Sequence, residues 1–327
     1  MKRLSLAVIG ATGMVGGFFV KVLEERNFPA TDLKFYASPR SAGKKILFKN
    51  KEYNILALND DIFNEDIDIA LFAAGGDISA QYAPMLAKKG VVCIDNSSKF
   101  RMDASVPLVV PEVNADEAKK HDGIIANPNC STIQSVVALA PLQKAFGIKR
   151  VSYTTYQAVS GAGQEGANDL QRGLDGLSHQ KFSHPIYNNV IPQIDIFTEN
   201  GYTGEEMKMI KETRKILGVQ DLPVTATCVR VPIFNAHSVS INVELVNTFD
   251  VKDVVQVLQN ASGVVVMNDW AKGEYPMPIT ADGKDEVYIG RIRRDESIAN
   301  GLNMWVVADN VRKGAATNAV QIAELLI

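Results

Sequence analysis

The chain has 327 residues, 22% of them charged, and a formal net charge of −3. One hydrophobic core rarely keeps growing past roughly 250–300 residues, so this length points to two domains. A slightly acidic balance gives no general field for nucleic acid or an anionic membrane, and any anion bound must meet a local basic site.

After Lys2 and Arg3 comes the apolar run Leu4–Ile9, a buried strand too short for a signal-peptide core. No run approaches the ~20 apolar residues of a membrane span. The strand meets Gly10-Ala-Thr-Gly-Met-Val-Gly16, and Phe18–Glu25 reads as a helix. Glycines at 10, 13 and 16 suit a plain tight turn, but in a βαβ context they let backbone N–H groups approach a pyrophosphate. Leu33–Ala37 is the second strand. NAD-specific folds usually carry an acid near its end, for the ribose 2′-hydroxyl. Here Asp32 precedes the strand, which runs instead into Ser38-Pro-Arg-Ser-Ala-Gly43. Arg40 between two hydroxyls suits a 2′-phosphate, which favours NADP over NAD.

Asp68–Ala74 is a strand ending at Gly75-Gly76, Ser79–Lys89 a helix, and Val91–Ile94 a strand in which Cys93 reads as buried and inert. Asp95–Arg101 lies beyond a strand's carboxyl end, where ligands of such sheets collect; Arg101 is there either an anion contact or a solvated charge. Pro107–Asn114 and Gly123–Ala126 complete a unit whose alternation indicates a mostly parallel, doubly wound sheet.

Asn127-Pro-Asn-Cys-Ser-Thr132 joins this unit to a different pattern. Apolar residues at 133, 136, 137 and 140 form one helical face, which puts Cys130 at or just before a helix start. The helix dipole and unpaired N–H groups there favour a thiolate and suit an oxyanion on a bound substrate; the bland alternative is a cysteine filling a cap position. Arg150–Ser160 is a long strand running into Gly161-Ala-Gly163, with Gln157 near its end either orienting a substrate or structural. The helix Gly204–Leu217 carries Glu206 and Lys208 among many charges and reads locally as a solvated face. Val224–Val231 alternates, so Arg230 shares a face with Ala226 and Cys228, the latter a buried filler. His237 precedes the strand Ser238–Val246 and is either a general base or structural. A helix from Val251, strands Tyr288–Arg294 and Asn303–Asn310, and a final helix Val311–Leu326 that returns to the first unit close the chain. Three widely separated cysteines make no disulfide or zinc framework; no metal is expected, and a reducing compartment, the cytoplasm, is.

The segments GATGMVG, ASPRSAGK, DNSSKFR, VPLVVPEVN, PNCSTIQ, YQAVSGAG, EEMKM, TCVRVPIFNAH and MWVVADNVRKGAA follow one another in this order. In type, order and spacing they resemble bacterial aspartate-semialdehyde dehydrogenases over essentially the whole chain. The resemblance implies a Rossmann-type doubly wound, mostly parallel domain at 1–129, completed by 311–327. It also implies an α+β catalytic and dimerisation domain at 130–310, with a mixed, largely antiparallel sheet. Cys130 would attack the aldehyde of L-aspartate 4-semialdehyde. The thiohemiacetal would pass hydride to NADP⁺, and phosphate would cleave the acyl thioester to 4-phospho-L-aspartate. The reverse direction would serve biosynthesis of lysine by way of diaminopimelate, and of threonine, methionine and isoleucine.

By the same resemblance His237 is the general acid/base and Gln157 orients the substrate. Arg230 would pair with its carboxylate, Glu206 with its ammonium, and Arg101 and Lys208 with phosphate. Gly10, Thr12, Gly13, Met14 and Val15 would hold the pyrophosphate of NADP, with Ser38, Arg40 and Ser41 at its 2′-phosphate. Ser160 and Gly161 would lie on the nicotinamide side and Asn310 would close the site. A homodimer pairing through the second domain is expected. Residues 164–189 depart from the family by being shorter, which leaves their part in dimer surface or cofactor closure open. Two other readings are an N-acetyl-γ-glutamyl-phosphate reductase-like enzyme and a redox-sensing NADP-binding protein with Cys130 as sensor thiol.

Overall fold

A computed structural model describes residues 4–327, so Lys2 and Arg3 lie outside the described residues. The chain forms two compact units. One runs to Pro128 and takes in Ala315–Ile327; the other is Asn129–Gly314, so residues 311–314 group with the second unit.

The first unit contains β1 (Ser5–Ile9), β2 (Asp32–Ala37), β3 (Lys45–Phe48), β4 (Lys51–Ala57), β5 (Ile69–Phe72), β6 (Val92–Asp95) and β7 (Ile124–Ala126). They form one sheet in the order β3-β4-β2-β1-β5-β6-β7, parallel throughout except for the β3–β4 pair. β1 is buried at all five positions, as a strand covered on both faces must be, which explains its unbroken apolar run. Helix α1 (Met14–Glu25) begins four residues before the expected Phe18, α2 (Gly76–Ala87) follows β5, and α3 (Pro111–Asn114) is a single turn. The C-terminal helix Thr317–Glu324 packs against α1 and β6 and puts Ala319, Val320, Ile322 and Ala323 into the same core as Leu6, Val8 and Phe19. Each large side chain so buried contributes about 1.5–3 kcal/mol. The chain leaves β1 for β2 on one side and later returns to β5 on the other. The carboxyl end of β1 is therefore the point where strand order reverses, the usual ligand crevice of such sheets.

The β3–β4 hairpin has no counterpart in the sequence reading. Its two-residue turn is Lys49-Asn50, with φ of 47° and 62°. Both values lie in the left-handed region that a type I′ turn demands, but without the glycine that ordinarily announces one.

The second unit contains α4 (Cys130–Phe146), β8 (Ile148–Gln157), α5 (Gly163–Leu174), α6 (Gly204–Leu217), β9 (Val224–Arg230), β10 (His237–Leu245) and α7 (Val251–Gln259). β11 (Val264–Val266), α8 (Pro278–Ala281), β12 (Val287–Asp295) and β13 (Gly301–Ala308) complete it. Its six-stranded sheet has the order β11-β12-β13-β10-β8-β9, with the two outer pairs parallel and the three inner pairs antiparallel. α4 lies on β8, β10, β12 and β13 and is buried without a break from Ser131 to Leu139, so it is a core helix and not the one-faced helix its periodicity suggests. Among the described residues no helix is long and apolar enough to cross a membrane.

Candidate active site

Strand direction assembles the site. β8 and the parallel β9 end side by side at Gln157 and Arg230, which are register partners; β10 runs the other way and starts at His237. Three functional side chains thus meet at one end of one sheet, 1%, 5% and 0% exposed respectively. Cys130 opens α4, and Asn129 caps that helix by accepting the Thr132 N–H at 3.1 Å. One turn further on, Gln134 ties α4 to this end of the sheet, its Nε2 donating to the carbonyls of His237 (3.1 Å) and Val306 (3.2 Å).

Arg230 is held by Nη1 donating to the Ala158 carbonyl at 2.7 Å. Burial pulls its pKa down, while the negative charges of Glu205 and of a Cys130 thiolate act the other way. Guanidinium and thiolate therefore stabilise each other. Two glycines make room for the cluster. A Cβ on Gly161 would lie 2.7 Å from Arg230 Nη1 and 3.0 Å from His237 Nε2, and one on Gly314 would lie 2.8 Å from the Cβ of Cys130. No cysteine is in a disulfide. Burial pushes the thiols of Cys93 and Cys228 far above their ordinary range, so both are inert fillers.

His237 is fully buried. Its Nδ1 accepts the Ala158 N–H at 3.0 Å, and its Nε2 has no hydrogen-bond partner among the described residues. Burial, with the Arg230 charge second, holds its pKa well below 6.5. A neutral imidazole that accepts at Nδ1 must carry its proton on Nε2. The resting side chain is thus a donor aimed into the site. In this state the imidazole, expected as general acid/base, offers a hydrogen-bond donor at Nε2 and has its Nδ1 lone pair occupied.

Glu206, the residue expected at the substrate ammonium, and its neighbour Glu205 are held differently. Both oxygens of Glu206 are committed: Oε2 accepts from the Thr203 N–H at 2.7 Å in a capping box, and Oε1 from the Cys228 N–H at 2.9 Å. Glu205 instead faces the cluster. Its Oε1 accepts from Gln157 Nε2 (3.1 Å) and Asn129 Nδ2 (2.8 Å), and its Oε2 from Lys208 Nζ (3.3 Å). Nor is α6 a solvated face, because Glu205, Glu206 and Glu212 lie on the buried stripe with Met209 and Ile216. Glu212, 1% exposed, accepts the Asn129 N–H at 2.7 Å and so supports the residue just before Cys130. Glu205→Gln is expected to lower kcat/KM by about 30-fold, the loss of one charge-assisted contact. Glu206→Gln is expected to cost mainly stability, about 1–2 kcal/mol by denaturant unfolding, with kcat/KM nearly retained. The opposite pattern would return the contact to Glu206.

Lys208 Nζ lies between Asp195 Oδ2 at 2.9 Å and Glu205. In the first unit Arg101 is 7% exposed, with Nε donating to the Asn127 carbonyl and Nη2 to the Asn96 carbonyl, both at 2.9 Å. It is a positioned guanidinium and not a solvated charge.

The nucleotide turn follows β1. Gly10, at φ +89°, is pinned by its N–H to the Tyr36 carbonyl at the end of β2, and a Cβ on it would strike the Ala73 backbone at 2.7 Å. A Cβ on Gly16 would lie 2.1 Å from the Gly10 oxygen, so only glycine lets α1 start this close to the strand. Gly13 caps α1, Thr12 and Gly13 are exposed, and Met14 and Val15 form the first turn, whose N–H groups have no intrahelical acceptor. Ser38 and Arg40 are exposed just beyond β2 and Ser41 partly so, and the Arg40 guanidinium makes no hydrogen bond or ion pair with the described residues. A cradle of bare N–H groups at a helix start, with an uncommitted guanidinium in the next loop, fits a phosphorylated dinucleotide. In the second unit Asn310 Nδ2 donates to Ser160 Oγ at 3.1 Å and its Oδ1 accepts the Ala236 N–H, beside Gly161 and His237. Among the described residues no group of His, Cys, Asp or Glu side chains is arranged to hold a metal ion.

Residues 5–121 match the family model for the semialdehyde dehydrogenase NAD binding domain, and residues 139–313 that for the semialdehyde dehydrogenase dimerisation domain. Fold and domain order are therefore those of the semialdehyde dehydrogenases. Aspartate-semialdehyde dehydrogenase of Aquifex aeolicus is 56% identical, covering 98% of this chain and 97% of its own, and that of Bacillus subtilis is 48% identical, covering 99% and 98%. The chain belongs to the aspartate-semialdehyde dehydrogenase family. The crystal structure of aspartate semialdehyde dehydrogenase II complexed with ASA from Vibrio cholerae superposes with a TM-score of 0.96 at 46% identity, covering 100% of this chain and 98% of that one. A Candida albicans aspartate semialdehyde dehydrogenase structure with NADP is more distant, with a TM-score of 0.77 at 26% identity, covering 99% and 98%.

Proposed function

We propose that the protein interconverts L-aspartate 4-semialdehyde, phosphate and NADP⁺ with 4-phospho-L-aspartate and NADPH, and that Cys130 carries the acyl group. The observation that carries this reading is the placement of Cys130 at the start of a buried helix tied to the sheet end that bears His237, Gln157 and Arg230. Arg230 takes the substrate carboxylate and Glu205, in place of Glu206, its ammonium. The aldehyde carbon then faces Sγ. As sulfur attacks, charge develops on the carbonyl oxygen, where the N-terminal N–H groups of α4 and the Nε2–H of His237 stabilise it. Gln157, fixed by its bond to Glu205, orients the adduct. When bound, NADP⁺ would supply the hydride acceptor needed for the adduct on Cys130 to become a thioester. Lys208 is the cation in this unit proposed for the phosphate that attacks the thioester and releases the Cys130 thiolate.

NADP is preferred over NAD on the strength of Arg40 and of the missing acid at the end of β2. Arg40→Ala should raise KM for NADP by about 30-fold and KM for NAD by less than about threefold, as expected for the loss of a guanidinium–phosphate contact. Equal losses in initial-rate assays would mean that Arg40 does not read the 2′-phosphate. A cytoplasmic homodimer serving lysine, threonine, methionine and isoleucine synthesis belongs to the same reading. The dimer is supported by the match of residues 139–313 to a dimerisation domain.

The deciding assay is NADPH formation from aspartate semialdehyde with and without phosphate. A preference for N-acetylglutamate semialdehyde would overturn the assignment.

A further inference from the structure

The proposed chemistry uses nothing between Gly163 and Ile191, yet this stretch is built around Arg230. Ile191 forms an antiparallel bridge with Arg230, the Ile191 N–H meeting the Arg230 carbonyl at 2.9 Å and the Arg230 N–H the Ile191 carbonyl at 2.8 Å. The Phe182 ring faces the guanidinium at the outer range of a cation–π contact, its centroid 5.9 Å from Cζ. That ring packs on a small core of Val159, Leu170, Ile186 and Ile191. It also closes on Gly166 of α5, where a Cβ would stand 3.3 Å from the ring.

One carboxylate folds the loop that carries the ring. Asp169 is 2% exposed and accepts three successive backbone N–H groups, from Gln180 (2.5 Å), Lys181 (3.1 Å) and Phe182 (3.0 Å). Burial alone would raise its pKa, but the three donors outweigh it and hold the carboxyl below its usual range.

We propose that residues 163–191 are the seat of Arg230. Phe182 is the positioning residue that fixes the guanidinium plane for the substrate carboxylate, and Asp169 is the anchor that places Phe182. This rests on the reading of Arg230 as the carboxylate contact. The guanidinium donors lie in its own plane, so the Nη1 bond to the Ala158 carbonyl and the neighbouring ring together restrict which way that plane, and with it a bidentate carboxylate site, can turn. Without the ring, the Nη1 bond to Ala158 would remain, but the guanidinium could turn about it.

The test compares aspartate semialdehyde with 3-aminopropanal, which is the same aldehyde without its carboxylate. Phe182→Leu keeps an apolar group in the core but removes the aromatic face. It should raise KM for aspartate semialdehyde about fivefold, leave kcat within about twofold, and leave kcat/KM for 3-aminopropanal unchanged. Phe182→Tyr should restore KM. Asp169→Asn, which leaves the ring itself intact, should reproduce the rise. On an Arg230→Lys background Phe182→Leu should add nothing. If Arg230→Lys leaves KM for aspartate semialdehyde unchanged, the reading of Arg230 falls and this inference with it. If Arg230→Lys raises KM while Phe182→Leu does not, or if Phe182→Leu impairs both aldehydes alike, only the role of Phe182 is overturned.

Discussion

Cys130→Ser is expected to lower phosphate-dependent NADPH formation by about 1000-fold or more while nucleotide affinity stays unchanged. The substitution is close to isosteric, which matters where the Gly314 backbone leaves no spare room against Cβ. In the proposed mechanism the helix start and the Arg230 charge favour a thiolate, which would attack an aldehyde readily. The same surroundings cannot make a serine hydroxyl ionise at neutral pH, and an ester would yield less readily to phosphate than a thioester does. Initial rates with and without phosphate, together with a nucleotide titration by fluorescence, check the prediction. Full turnover by the serine variant would remove Cys130 as nucleophile. Nucleotide binding with no turnover in the unsubstituted protein would favour a sensor thiol instead.

What the sequence made legible followed the range of the interaction concerned. The Gly10–Gly16 turn was readable because its glycine spacing is local, with Gly16 packed on the Gly10 backbone, although the contact of Gly10 with Ala73 was not. The start of α4 was read from the apolar residues at 133, 136, 137 and 140, but the burial of the whole helix was not, because it depends on the sheet packed beneath it. The hairpin at Lys49-Asn50 was not, because its left-handed turn is held by strand pairing and lacks a glycine. The choice between Glu205 and Glu206 was equally hidden. Adjacent residues on a helix point about 100° apart, and only the packing of α6 decides which one meets Gln157 and which one caps the helix. Asp169 and Phe182 gave no signal, because each acts on a partner 11 or more residues away that no spacing rule connects.

His237→Gln is expected to retain activity within about tenfold, whereas His237→Ala should lose about 100- to 1000-fold, the usual cost of one oxyanion donor. The difference separates two roles. Glutamine presents an N–H near the position of Nε2 but cannot exchange a proton, so it replaces a donor and not a base. Equal collapse of both variants would restore general-base catalysis and refute the Nε2–H donor. Stability offers an independent reading of the same proton. The folded-state pKa lies well below 6.5, so between those two values only the unfolded chain takes up the proton. Stability owed to this group is therefore complete above about pH 6.5 and is lost as pH falls toward the folded pKa, by at most about 1.4 kcal/mol per pH unit. Urea unfolding across this range should show that slope in the unsubstituted protein and a shallower one in His237→Gln. Identical slopes would mean that the imidazole already titrates normally when folded. It could not then be held neutral by burial, and the Ala158 N–H would not be setting its tautomer.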